Sequence, residues 1–150
     1  MKKSLIQKLA FVYSALFFGV VLLNYIPAIH DEQGNMFGLF HLDLIDDLLH
    51  LGSAVWALIA GWYSIKATTF YFRWFGSVYL LDGVIGIFIG KGLLDFGIFS
   101  SNPAIPELAT RIAANVPHIL IGGSMAIIGF LLSKYVNGKS NSMANRSPNM

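Results

Sequence analysis

Four polar residues interrupt otherwise apolar stretches of this chain: Asn24, His50, Asp82 and His118. Asp82 is the sharpest of them, because an ionisable group among apolar residues is costly unless it is paired. These residue types support three kinds of chemistry. His50 and His118 can ligate a divalent metal or, as a bis-imidazole pair, a haem iron, with Asp82 as ligand or hydrogen-bonded partner. The titratable groups can instead form a path for protons or a small solute through Asp82. The third role is structural: Asp82 pairs with a histidine or an amide and pins helices together. Both histidines sit in a (D/N)-x-x-H pattern, Asp47-Leu48-Leu49-His50 and Asn115-Val116-Pro117-His118, which reads as the start of a helix with Asp47 or Asn115 at its mouth. His30 and His41 fall in or beside a polar loop and are expected to be solvated.

The elements that must position these groups follow from composition. The chain has 150 residues, 55% hydrophobic and only 12% charged. About 25% is ordinary for globular chains, so the charges are too few to cover a water-facing surface. Apolar stretches of about 20 residues are long enough to span a bilayer core of roughly 30 Å. They run over about 9–29, 48–65, 74–94 and 117–132. In lipid each must satisfy its own backbone, so each is predicted to be a helix. The first is read as a retained span, since it exceeds a signal-peptide core and no A-x-A site follows it.

Eight of the ten basic residues (Lys2, Lys3, Lys8, Lys66, Arg73, Lys134, Lys139 and Arg146) fall on one side of this arrangement, and Lys91 and Arg111 on the other. The positive-inside rule then places both termini in the cytoplasm. Trp62, Tyr63, Tyr71 and Trp74 are expected to flank a short cytoplasmic turn. On the outer side, Asp43 can cap a helix whose first turn holds Asp46 and Asp47. Ser101-Asn102-Pro103 marks a turn, and Pro106 is expected to open a short separate helix with Glu107 and Arg111 at i,i+4 and an apolar face of Ile105, Leu108 and Ile112. Residues 136–150 read as a disordered polar tail.

Small residues should mark the faces where helices meet. They recur as Ala15 and Gly19; Ser53, Ala57 and Gly61; Gly76, Gly83, Gly86 and Gly90; and Gly122, Ala126 and Gly129. Helical periodicity puts His50, Asp82 and His118 on these same faces. The two halves also resemble each other. Leu22-Leu23-Asn24 parallels Leu80-Leu81-Asp82, and the two (D/N)-x-x-H segments follow, which suggests a parallel repeat of two hairpins. Asn24, His50, Asp82 and His118 would then share the outer half of the bundle.

With no cysteine, disulfides and thiolate sites are excluded, and no basic patch suggests nucleic acid. No nucleophile elbow or phosphate loop is visible.

Phe37-Gly38-Leu39-Phe40, Asp47-x-x-His50-Leu51 and Asn115-x-x-His118 resemble a bacterial family of four-span membrane proteins, domain of unknown function 4383. The resemblance covers roughly residues 9–135 and departs from the family pattern at Asp46-Asp47 and Val116-Pro117. It implies a four-span fold in a bacterial plasma (inner) membrane and carries no assigned activity.

The sequence thus predicts an all-α, four-helix transmembrane bundle of two similar hairpins, both ends inside. Its partners would be the lipid bilayer and either itself or another membrane protein. The leading function is a non-catalytic scaffold or accessory subunit without a cofactor. The alternatives are a haem- or metal-binding redox protein using His50 and His118, and a proton or small-solute pathway.

Overall fold

The computed structural model describes residues 3–39, 41–99 and 105–133, and most of them are helical, with no strand among them. Four helices follow one another: α1 (Leu5–Asn24), α2 (Leu44–Tyr63), α3 (Ile65–Ile89) and α4 (Leu108–Ile127), the last continued by a π-helical turn over Ile128–Leu132. All four are long and apolar enough to cross a membrane. The expected turn at Ser101-Asn102-Pro103 and the polar tail lie outside the described residues, as does Phe40.

Local chemistry explains where the helices begin and end. Ser4 and Gln7 form a capping box that starts α1 ahead of the expected residue 9. The helix stops at Asn24 because Pro27 disfavours helical backbone before it. Asp43 caps α2 through the amides of Ile45 and Asp46, at 2.7 and 3.1 Å, and Asp46 returns a bond to the Asp43 amide. Asp46 and Asp47 then occupy the first turn, where the macrodipole favours them.

Two sequence expectations are corrected here. The stretch 66–73 is helix, not a turn: Ser64 alone separates α2 from α3, and its hydroxyl accepts the Ala67 amide at 3.0 Å. Thr68 fastens the corner by donating to the carbonyls of Ala60 and Ser64. Tyr71 accordingly lies fully buried in the core, while Trp62, Tyr63 and Trp74 are exposed. The second correction concerns the separate helix at Pro106. The segment belongs to α4, which starts at Leu108 and carries Pro117 in its interior. A proline costs one backbone bond but does not end a helix whose neighbours hold it in place. Ile105, Leu108 and Ile112 are exposed, as expected.

The helices pack chiefly as two hairpins, α1 on α2 and α3 on α4. In the second, backbones approach closely through glycines on both sides. A Cβ at Gly76 would lie 2.7 Å from the Ala126 amide nitrogen, and one at Gly129 would lie 2.7 Å from that of Arg73. Gly122 faces the Leu80 backbone in the same way. In the first hairpin, Gly61 faces Ala10 and Gln7, and Ser53, Ala57 and Ala60 are buried. Gly19 meets nothing within 4 Å and is no contact point. Gly90 serves as the left-handed C-cap of α3, at φ 78°.

Aromatic side chains fill the centre. Tyr71, Phe75 and Tyr79, four residues apart on α3, stack with ring centroids 5.5 and 5.4 Å apart. Phe17 of α1 meets Phe75 and Tyr79 edge-on. This column leads from the core to the polar residues at one end of the bundle.

Candidate functional site

Asp82 sits at the head of that column, 2% exposed. One of its oxygens accepts Nδ1–H of His118 at 2.6 Å. The other accepts the backbone amides of Leu93 and Leu94, at 2.7 and 2.9 Å. A buried carboxylate with three N–H donors is a satisfied one. Through these bonds Asp82 ties α3 to α4 and draws the chain after Gly90 back over the helix end. The close approach it requires comes from glycine: a Cβ at Gly83 would lie 2.9 Å from the Cβ of His118.

His50 lies nearby but does not reach Asp82. Its Nδ1 is 2.7 Å from the carbonyl oxygen of Asp46, so that nitrogen must carry the proton and donate. Its Nε2 is therefore the acceptor, and the hydroxyl of Tyr79 donates to it at 3.3 Å. The Tyr79 ring also stacks on His118, centroids 4.5 Å apart. One tyrosine thus joins the two histidines. Sequence reasoning missed it, although Tyr79 precedes Asp82 by three residues and shares its helix face.

Asn24 belongs to a second cluster. Its amide donates to the Asp47 carboxylate at 3.1 Å and to the Leu42 carbonyl at 3.3 Å. Tyr25 donates to the same carboxylate at 2.8 Å, and that bond pushes the phenol above its ordinary pKa. His30 completes the group through the Ile26 carbonyl and the Asn24 side chain, so it is half-buried rather than simply solvated. Of the four residues singled out from sequence, the structure therefore brings His50, Asp82 and His118 together and leaves Asn24 with Asp47.

The two (D/N)-x-x-H segments also differ. Asp47 lies in the first turn of α2, whereas Asn115 sits well inside α4 and donates to the Arg111 carbonyl at 2.9 Å. Neither is an N-cap; Asp43 is the cap of α2, and Glu107 stands at the start of α4 without a side-chain cap bond.

Above the Asp82–His118 pair lies a polar cavity of about 180 Å³, walled by α2, α4 and the segments around His41 and Gly90–Asp95. His41, Asp46, His50, Lys91, Asp95 and Asn115 line it with the pair itself. His41 and Lys91 were not expected there. The buried rings of Phe17, Tyr79 and Phe75 continue from the pair into the core. A smaller cavity of about 140 Å³, mostly apolar, adjoins the pair between Met36, Phe17 and Pro117.

The donor geometry bears on the metal and haem readings. Among the described residues, no three His, Asp or Glu side chains converge closely enough to hold a metal ion. For haem, Tyr79 holds Nε2 of His50 and Asp46 holds Nδ1, so this imidazole has no nitrogen to offer an iron in the present arrangement.

Compared with family models, curated proteins and solved structures, the chain gives no match.

Proposed function

We propose that this chain is a four-span integral membrane protein, both termini cytoplasmic, acting as a non-catalytic scaffold or accessory subunit. The resemblance to the bacterial four-span family makes a bacterial plasma membrane its proposed location. The asymmetry of basic residues supports the orientation, with Lys3, Lys66 and Arg73 at one end of the helices.

One observation carries the structural reading of the polar cluster. Both oxygens of Asp82 and both nitrogens of His50 have protein partners, so these groups are occupied in holding α2, α3 and α4 together. A surface for an assembly partner, either a second copy or another membrane protein, is offered by α4. Only 17% of its apolar window is buried, against 28% or more for the other helices.

The polar cavity favours a second reading, a small-solute or proton site ending at the Asp82–His118 pair. Asp82 and His118 line it together with His50, Asp46 and Asp95, which gathers titratable groups around one space.

The test is the full chain extracted mildly from its own membrane. The scaffold reading expects a colourless, metal-free protein whose Asp82→Asn and His118→Ala variants lose thermal stability. A Soret band or a stoichiometric metal would transfer the assignment to the redox alternative. Proton-coupled flux into liposomes that Asp82→Asn abolishes would transfer it to the pathway. Tags placing the two termini on opposite faces would remove the topology.

A further inference from the structure

The α2–α3 side of the bundle carries a feature of a different kind. After the one-residue corner at Ser64, α2 and α3 diverge and leave a furrow between them. Its apolar part consists of two shallow hollows of about 510 and 410 Å³, both bordered by Trp56 and Phe70. Gly52 lines the first, and a Cβ there would meet nothing within 4 Å. A third hollow, of about 580 Å³, lies beside them on α3 and has a basic rim. Phe70 borders all three, so they meet at a single side chain.

The basic hollow is formed by Lys66, Thr69, Arg73 and Trp74 around Phe70. Arg73 is held in place: its Nε donates to the Gly129 carbonyl at 2.8 Å and a terminal nitrogen donates to the Ser133 hydroxyl at 3.1 Å. Lys66 is exposed on the preceding turns. The buried Thr69 hydroxyl has no hydrogen-bond partner among the described residues. Exposed Trp62, Tyr63 and Trp74 surround this end, as aromatic residues do at a membrane–water boundary.

We infer that this furrow is a binding site for an anionic glycerophospholipid of the cytoplasmic leaflet. Its phosphate would lie against Lys66 and Arg73, and an acyl chain would follow the apolar groove past Phe70 and Trp56. The inference rests on the membrane topology proposed above, which puts Lys66 and Arg73 at the leaflet that carries anionic lipid. Charge complementarity selects the occupant. A zwitterionic lipid would bring a phosphate whose charge its own headgroup cation already balances, and would leave the two protein cations under-neutralised. From Leu48 to Ser64 the groove runs along about 24 Å of helix, most of a bilayer core of roughly 30 Å, which suits an extended chain.

Tryptophan fluorescence reads the site directly, since Trp56 and Trp74 border the furrow. The full chain carrying Trp62→Phe is placed in phosphatidylcholine nanodiscs. Phosphatidylglycerol or phosphatidylcholine with brominated acyl chains is then titrated in. Brominated phosphatidylglycerol is expected to quench at a roughly 25-fold lower mole fraction than brominated phosphatidylcholine, about fivefold for each of the two cations. Lys66→Gln should reduce that preference about fivefold, the share of one lysine at an anionic surface. Adding Arg73→Gln should abolish it. Should the double variant fail to fold, Lys66→Gln decides alone, because Lys66 is exposed and outside the core.

Equal quenching by the two lipids in the parent would overturn the site and leave the membrane topology standing. An absence of quenching by either would overturn the topology itself. Recovery of fluorescence on adding inorganic phosphate would make the site one for free phosphate and overturn the lipid assignment.

Discussion

The two hairpins solve the same packing problem differently. In α1–α2 the contact is made by side chains: Gln7 donates to the Gly61 carbonyl at 3.0 Å, Ser14 donates to that of Ala54 at 2.8 Å, and alanines fill the space between. A polar cluster forms at the mouth, where Asn24 and Tyr25 share Asp47. In α3–α4 the backbones themselves come together through Gly76, Gly83, Gly122 and Gly129, and a buried carboxylate–imidazole pair lies within the seam. Side-chain contacts can adjust when one of them is changed. A backbone seam has no flexible atoms with which to relax, and a buried charge has no water to fall back on.

The largest effect should come from the second hairpin. Asp82→Ala leaves the Leu93 and Leu94 amides and His118 without their acceptor and is expected to cost about 3 kcal/mol or more. Denaturation in detergent measures it; a loss below about 1 kcal/mol would show that the pair is not a clasp. Gly122→Ala sets a methyl against the Leu80 backbone and is expected to cost about 3 kcal/mol. Gly61→Ala meets the Ala10 methyl and the Gln7 carbonyl at 3.1 Å, and is expected to cost only about 1 kcal/mol. Equal costs at the two glycines would erase the contrast between the hairpins. Asn24→Ala removes amide donors that Asp47 can partly replace from Tyr25, with an expected loss of about 1 kcal/mol.

The smallest effect concerns the loop between α1 and α2. Asp31 accepts the amides of Gln33 and Asn35, at 3.0 and 2.7 Å, and these bonds hold its carboxyl below the ordinary value of 3.8. A depressed folded pKa means the loop gains order that is complete above about pH 4 and lost as pH falls through the folded value. Amide exchange at Gln33 and Asn35 should therefore quicken below pH 4 while α3–α4 amides stay protected. Asp31→Asn should remove that pH dependence.

Much of this contrast was legible before any coordinates. The spacing of Gly76, Gly83, Gly122 and Gly129 announced a close seam, and Asp82 within apolar sequence announced a partner. Asp43, Asp46 and Asp47 read correctly as a cap and first turn. Other positions misled for physical reasons. Lys66 and Arg73 read as part of a short turn between flanking aromatic residues, yet they lie in α3, where Thr68 fastens the helix corner and Arg73 donates from Nε to the Gly129 carbonyl. Asn115-Val116-Pro117-His118 read as the opening of a helix because the apolar run begins there, and here it is interior to α4. Gly19 fitted a small-residue stripe but faces open space.

The sequence by itself determined the number of apolar helices, the faces that carry most of the small residues, and the presence of buried titratable groups. Periodicity determines these, because it sets which side of a helix each residue occupies. Only the tertiary structure decided that Asp82 takes His118 rather than His50, that Tyr79 joins the two histidines, and that Asn24 goes to Asp47. Those choices depend on how far each helix slides and rotates against its neighbours. A residue's own spacing says nothing of that offset, which is settled by all the contacts of the seam at once.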